Sequence, residues 1–411
     1  MEKKQIVFIE SYSTVMIYKI AKEFKKRGYK TILIRILSPS PKDKEFHKDA
    51  FNQIIDLNFD FVKLNKKNIP NLILNLLKKI KPLTKTLIRS LKLKPCVIIG
   101  RANPNLPISF FRILFKKSSF IYFPYDIRVH YAPTKEIAKT ERGLSNLEII
   151  SEKYNFEKSN GILHKGAPRE LNSIHGRYLG KKVKIPKETL YFHPYCSNEF
   201  IIPFNKNKLS KKDNELHLVC IGSGGKKTKE LYEIYFETAK HLIKQKIHFH
   251  IYVSSNLNSE IEEKKGFFTK YKSFPNIKYF HIHQPKNPKE IVSEVSKYDF
   301  AISFPPSTNF PRYNLDPKFA VGNRESTFFE AGIPHFYPFN VEYTGKIMER
   351  YGLNLPIALN GKLSIKNLKN RIKKLNYKEL EKKISRARED FNLEKQFPRL
   401  EKFIIDIANK N

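Results

Sequence analysis

The sequence predicts an α/β protein built from two doubly wound, Rossmann-like domains that face a central cleft. Three observations carry that expectation. At 411 residues the chain is longer than one hydrophobic core usually serves. Its first 36 residues read strand, helix, strand, the opening of a parallel sheet. The same pattern restarts after a polar, charged stretch at 203–215. The expected division is a domain over 1–202, a linker over 203–215, a second domain over 216–376 and a helical tail over 377–411.

Residues 5–10 (QIVFIE) are a short apolar run that reads as a buried strand. Ile17, Ile20, Ala21 and Phe24 share one helix face over 15–24, and Arg27-Gly28 closes that helix. Residues 31–36 return as a strand. Similar runs at 96–100, 119–124, 161–164 and 189–193 are further strands, with helical patterns at 108–114 and 145–156. The second domain opens with a strand at 216–221, a helix at 229–242 and a strand at 247–253. Strands at 277–282 and 300–304 follow, separated by a helix over 290–295. In a doubly wound sheet the ligand sits outside the carboxyl ends of the strands, which makes the residues after each strand the candidates for chemistry.

Composition narrows the function classes. Forty per cent hydrophobic and 13% aromatic residues exclude a disordered chain. Cys96, Cys196 and Cys220 are too few and too scattered for a disulfide framework or a zinc site, which points to a reducing compartment. No apolar h-region follows Met1 and no window approaches 18 consecutive apolar residues. No signal peptide or membrane span is therefore expected, and the expected location is cytoplasmic.

The charge is unusual: 77 Lys and Arg against 40 Asp and Glu give +37. Such a field attracts nucleic acid, anionic lipid or phosphorylated substrates. A lysine-biased composition on an ordinary solvated surface is the plain alternative. Between Asp60 and Asp126 there is no acidic residue, while that stretch carries 14 Lys and Arg. Within it, Leu83, Leu87, Ile88 and Leu91 form an apolar stripe, with Lys85, Arg89 and Lys92 on other faces. A basic amphipathic helix of this kind, part of 71–94, can lie on an anionic membrane surface, or it can cover a sheet with its basic face in water. No helix-turn-helix, RNP-like or zinc-finger pattern is present, so no specific nucleic-acid partner is expected.

Two motifs bear on phosphate chemistry. The strand at 216–221 runs into Gly222-Ser223-Gly224-Gly225-Lys226-Lys227 and then a helix. Glycines let the backbone approach an anion, and a helix N-terminus offers free N–H groups. The spacing is neither G-x-G-x-x-G nor a Walker A, so a phosphate cradle and a plain tight turn both remain open. The second motif is 321–334 (VGNRESTFFEAGIP), a polar loop entering a short helix that a Gly-x-Pro stops. Arg324, Ser326 and Thr327 sit near that helix N-terminus, where dipole, backbone and guanidinium together hold an anion. A simply capped helix is the alternative.

With these motifs the sequence resembles a known family. The string N-R-E-S-T-F-F-E-A-G-I-P is similar to the N-K-L-x-x-Y-L-A-A-G-x-P stretch of GT-B glycosyltransferases, and most resembles the glycosyl transferase family 1 and 4 group. Ser11-Tyr12-Ser13 with its following helix resembles that family's first loop, Tyr125-Asp126 its His-Asp pair, and 297–304 (KYDFAISF) a late strand. The resemblance implies a nucleotide-sugar donor held mainly by the second domain. By the same match Arg324 stands where a Lys contacts the diphosphate, with Gly222, Ser223, Gly224, Lys226, Ser326, Thr327 and Glu330 around it. His283 falls where the family meets the nucleobase. No metal is expected, because cationic side chains and helix dipoles neutralise the leaving diphosphate.

The departures are specific. Aligned on Gly332-x-Pro334, the Glu-x7-Glu pair of retaining members falls on Phe319 and Thr327. The family His before Asp126 is Tyr125. Asp126 is the expected base, with His130 and Glu10 as alternatives, since an inverting transfer needs one such group at the acceptor hydroxyl. Ser11, Tyr12 and Arg101 are the expected acceptor-side residues, Arg101 suiting a phosphorylated acceptor. His248/His250 and His281/His283 each place two imidazoles on one strand face, but no carboxylate or Cys accompanies them at ligand spacing, so packed histidines are expected there.

The expected function is transfer of a hexose from a nucleoside-diphosphate sugar to a glycan or lipid-linked acceptor, without a cofactor. A GT-B-like nucleotide-sugar epimerase, an inactive GT-B binding protein and a basic nucleic-acid binder are the alternatives. Membrane attachment, if any, would be peripheral.

Overall fold

A computed structural model describes residues 4–11, 14–37, 47–57, 96–102, 104–125, 127, 134–140, 143–171, 185–223, 229–253, 277–303, 316–319 and 321–410. The chain divides into two compact units, Met1–His193 with Gln396–Asn411, and Pro194–Lys395.

In the first unit the elements run β1 (Gln5–Glu10), α1 (Val15–Lys26), β2 (Lys30–Arg35), β3 (Gln53–Asp56), β4 (Val97–Arg101), α2 (Leu106–Leu114), β5 (Ser119–Phe123), α3 (Asn146–Lys158), β6 (Gly161–His164) and β7 (Thr189–Tyr191). The seven strands form a parallel sheet in the order β3-β2-β1-β4-β5-β6-β7. Their continuous apolar runs follow from burial on both faces, since helices cover each side of a parallel sheet. Ile17, Ile20, Ala21 and Phe24 are buried as the helical spacing requires, and Gly28 takes a left-handed φ of 87° after α1. β3 escaped the sequence reading because it is four residues long; Arg35 ties it to β2 through Asp56 at 2.7 Å. Behind β5 a polar cluster fixes α2: the Glu148 carboxylate accepts from the backbone N–H groups of Asn105 and Leu106, and Tyr122 Oη donates to Asn105 Oδ1 at 2.5 Å. A carboxylate from α3 thus meets the orphan donors of the α2 N-terminus.

The second unit contains β8 (Leu216–Ser223), α4 (Lys229–Ile243), β9 (Ile247–Val253), β10 (Phe280–His283), α5 (Pro288–Val295), β11 (Phe300–Ile302), α6 (Asn323–Ala331), β12 (His335–Pro338), β13 (Pro356–Ile357), α7 (Tyr377–Asp390) and the start of α8 (Leu393–Asn409). Its sheet is parallel, in the order β10-β9-β8-β11-β12-β13. The expected strand at 277–282 begins later, because Ile277–Tyr279 is a 3-10 turn.

Two boundaries differ from the expected ones. Residues 203–215 are packed into the second unit: Leu209 N–H donates to Lys297 O at 2.8 Å, Lys208 Nζ to Ser296 O at 2.8 Å, and Ser210 Oγ to Asp299 Oδ1 at 2.5 Å. Their polarity reflects bonding to the α5–β11 connection, and the second unit starts earlier, at Pro194. The tail is not a separate element either. Phe397, Leu400, Ile404 and Ile407 form one apolar stripe of α8 with 0–1% exposure. That stripe belongs to the first unit, where Phe397 meets Phe24 at 4.5 Å and the carbonyl of Ile407 accepts from Ser119 Oγ.

Candidate functional site

Each sheet reverses direction beside its first strand. β8 lies between β9 and β11, and β1 lies between β2 and β4. At such a switch point the connections leave to opposite faces and open a crevice at the strand carboxyl ends, which is where open α/β sheets take ligands.

In the second unit the crevice is bridged by one side chain. Arg324 Nη1 donates to Ser303 O at 2.5 Å and Nη2 to Gly222 O at 3.0 Å, so its guanidinium spans the ends of β8 and β11. Gly222 sits at an irregularity in the β8–β9 register with φ of 69°, a conformation that L side chains adopt only with strain. An added Cβ would stand 3.5 Å from Arg324 Nε. Arg324 belongs to the first turn of α6, whose cap residue Gly322 contributes no side-chain bond to the helix N–H groups. Glu325 shares that turn; a Cβ added at Gly322 would lie 2.7 Å from its Oε2.

The structure uses the other predicted donor-side residues differently. Ser326 Oγ and Thr327 Oγ1 both donate back to Asn323 O, at 2.8 and 3.1 Å, as hydroxyls inside a helix commonly do. Ser326 is also buried. Glu330 points away from the crevice: its Oε1 accepts from Ser197 N–H at 2.8 Å, and its carbonyl accepts from Ile202 N–H and Arg388 Nη2. It anchors the start of the second unit. His283 closes the edge strand β10, two strands from β8, with its ring on Tyr252 at 4.5 Å and its Nε2 on His250 Nδ1 at 2.9 Å.

In the first unit Glu10 ends β1 and Arg101 ends β4, so the pair stands at that sheet's switch point. Arg101 Nη1 is 4.0 Å from Glu10 Oε2, which also accepts from Thr14 Oγ1 at 3.1 Å. Glu10 is fully buried, and that burial outweighs Arg101 and Thr14 and pushes its pKa up to about 7. Among the described residues Glu10 Oε1 and Ser11 Oγ have no hydrogen-bond partner. The next strand ends add an aromatic ring between cations: Tyr125 lies under Arg101 at 4.1 Å and Lys165 Nζ at 3.7 Å. Lys165 and Thr14 were not recognised in the sequence; their signal was position, Lys165 just after β6 and Thr14 four residues after Glu10.

Asp126, His130, Tyr12, Gly224 and Lys226 lie outside the described residues, as do the side chain of Ser223 and the basic stretch 71–94. No described helix is long and apolar enough to cross a membrane.

No protein-family model and no curated protein sequence matches the chain. Solved structures do. Sucrose-phosphate synthase from Thermosynechococcus elongatus superposes with a TM-score of 0.68 at 12% identity over 100% of both chains. A glycosyltransferase from Rickettsia africae gives 0.60 at 13% identity, again over 100% of both chains. The pneumococcal O-GlcNAc transferase GtfA, solved with UDP and GlcNAc, gives 0.60 at 10% identity over 99% of each chain. With two parallel, doubly wound units matched from end to end, the chain has the GT-B fold of these glycosyltransferases.

Proposed function

We propose that this protein is a glycosyltransferase that moves a hexose from a nucleoside-diphosphate sugar to a glycan or lipid-linked acceptor. The observation that carries the proposal is Arg324, a guanidinium fixed across the ends of β8 and β11 at the switch point of the second sheet. A cation held there, beside a glycine whose backbone a ligand can approach closely, suits a diphosphate. GtfA, with the same fold, was solved with UDP. In this reading the guanidinium, rather than a bound metal, offsets the charge that develops on the leaving diphosphate.

The first unit supplies the acceptor chemistry. Of the three candidate bases, Glu10 is the one whose surroundings are described, and they favour proton transfer: a buried carboxylate with one oxygen unpartnered among the described residues and a pKa pushed up to about 7. Asp126 and His130 remain alternative bases. The position of the second Glu of retaining enzymes is Thr327, whose hydroxyl is turned onto Asn323 O, so an inverting transfer with a base is the chemistry proposed. Arg101, Tyr125 and Lys165 suit a phosphorylated acceptor, and the 71–94 stretch suits an anionic bilayer carrying it.

Titration calorimetry with UDP, GDP, ADP, CMP and TDP tests the donor side. One nucleotide is expected to bind, with affinity reduced at least 10-fold in Arg324→Ala. Equal binding by the variant, or none by the native chain, would sink the proposal. A product assay with the matching sugar nucleotide then separates a transferase from a silent binder.

A further inference from the structure

On one face of the second sheet five histidines meet. His217 comes from β8, His248 and His250 from β9, and His281 and His283 from β10. Parallel pairing sets His217 opposite His248 and His250 opposite His281. The rings are stacked, His217 on His248 at 4.3 Å and His250 on His281 at 4.2 Å. They form two hydrogen-bonded rows. One runs Asp213 Oδ2, His217, His250, His283, with nitrogen contacts of 3.0, 3.0 and 2.9 Å. The other runs Glu215 Oε2, His248, His281, at 2.7 and 2.9 Å. Both rows start at the amino-terminal edge of the sheet, the end opposite Gly222 and Arg324.

We propose that Asp213, Glu215, His217 and His248 form a site for a divalent cation of the zinc class. The four ligand atoms are Asp213 Oδ2, Glu215 Oε2 and the Nε2 atoms of the two histidines. Asp213 Oδ2 lies 3.0 Å from His217 Nε2 and 3.6 Å from His248 Nε2, and Glu215 Oε2 lies 2.7 Å from His248 Nε2. Zinc ligands in a tetrahedron are about 3.3 Å apart; Asp213 Oδ2, Glu215 Oε2 and His248 Nε2 already lie within 4.8 Å of one another, and His217, whose ring is stacked parallel to that of His248, joins them by turning its ring toward Asp213. The supporting contacts already exist. Asp213 Oδ1 accepts from Glu215 N–H at 3.0 Å, and Glu215 Oε1 accepts from Tyr279 Oη at 3.0 Å, which leaves the other oxygen of each carboxylate aimed at the imidazoles. His250 and His281 stand at the Nδ1 atoms of the two ligand rings, the position of the outer groups that orient metal-bound histidines. Four protein ligands make a closed, structural site, pinning residues 213–215 to β8 and β9.

Proton balance follows from the rows. Carboxylates only accept, so neutral rings donate from Nε2 and accept at Nδ1 along each row. Cation binding takes the Nε2 protons of His217 and His248. Both rings stay neutral by receiving protons at Nδ1 from His250 and His281. His250 is refilled from His283, and His283 and His281 each gain one proton at Nδ1 from water. Two protons leave, two enter, the two carboxylate–imidazole bonds give way to the cation, and every ring-to-ring bond in both rows reverses.

The site lies apart from Arg324 and does not rest on the transferase reading. Its test is calorimetric titration of the chelator-treated, tag-free full chain with zinc ion alone. One equivalent is expected to bind and raise the unfolding midpoint. The Asp213→Asn, Glu215→Gln double variant should weaken that binding at least 100-fold while nucleotide binding is untouched. His281→Gln should weaken it about 10- to 100-fold. Ring 15N shifts of His250 should change tautomer on zinc addition. Absence of a saturable equivalent, several weak sites only, or equal affinity in the double variant would overturn the proposal.

Discussion

The Arg101 guanidinium stands 4.0 Å from the Glu10 carboxylate, at the adjoining ends of β4 and β1. That distance is close enough for attraction, yet the carboxyl titrates near 7, because full burial removes more hydration than one guanidinium and one threonine hydroxyl restore.

A pH dependence of stability follows. Below about 4.5 the Glu10 carboxyl is protonated in both folded and unfolded chains. Between 4.5 and 7 only the unfolded chain ionises it, so rising pH favours unfolding across that window. Above 7 the loss is complete, at most about 3 kcal/mol. Glu10→Gln is therefore expected to be more stable than the native chain at pH 8 and similar to it at pH 4.5, by urea denaturation at each pH. If Glu10 is the base, the same variant loses transfer activity, and the native rate rises with pH through about 7.

His335 gives the opposite sign. It is buried against Phe328 and Phe329, and neither ring nitrogen has a hydrogen-bond partner among the described residues. Burial lowers its pKa from 6.5 to about 3. Below 6.5 the unfolded chain takes up a proton that the folded chain refuses, so acid destabilises. His335→Leu removes this linkage. Relative to its difference from the native chain at pH 7.5, the variant should gain about 2 kcal/mol at pH 5 in denaturant titrations. An unchanged difference would mean that His335 is hydrated in the folded protein.

Arg324 carries two roles that substitution separates. Lysine keeps the charge but not the fork that reaches two carbonyls. Arg324→Lys should retain part of the nucleotide affinity that Arg324→Ala loses, and both should show a small fall in thermal midpoint from the unpaired Ser303 and Gly222 carbonyls. Identical affinities for the two variants would assign the binding to backbone groups alone.

Gly161 is needed for space rather than conformation. A Cβ there would stand 2.2 Å from Ile407 Cδ1 and 3.1 Å from Phe403 Cζ, so the side chains that α8 seats on β6 must shift if any side chain is present. Gly161→Ala should cost about 1–3 kcal/mol. In an Ile407→Val background, which lacks the clashing methyl, the cost should fall to less than half. Equal costs in both backgrounds would mean that α8 is not seated on β6.

The sheets were readable because parallel strands buried on both faces are written as unbroken apolar runs, and the residues after those runs had to lie at the carboxyl ends. Glu10, Arg101 and Gly222 were identified on that ground and Arg324 from its place at a helix N-terminus, and the structure brings each to a switch point. What a polar side chain bonds to is not written locally. Ser326 and Thr327 turn to their own helix backbone, and Glu330 turns to Ser197 more than a hundred residues earlier, because donors left by the rest of the chain decide where each side chain goes. The return of 396–411 to the first unit was hidden for the same reason: an apolar stripe names no partner until a surface such as Phe24 and Gly161 is assembled for it. The two His-x-His pairs were visible as pairs. That His217, Asp213 and Glu215 join them was decided by strand register, which sets side chains far apart in sequence within hydrogen-bonding distance.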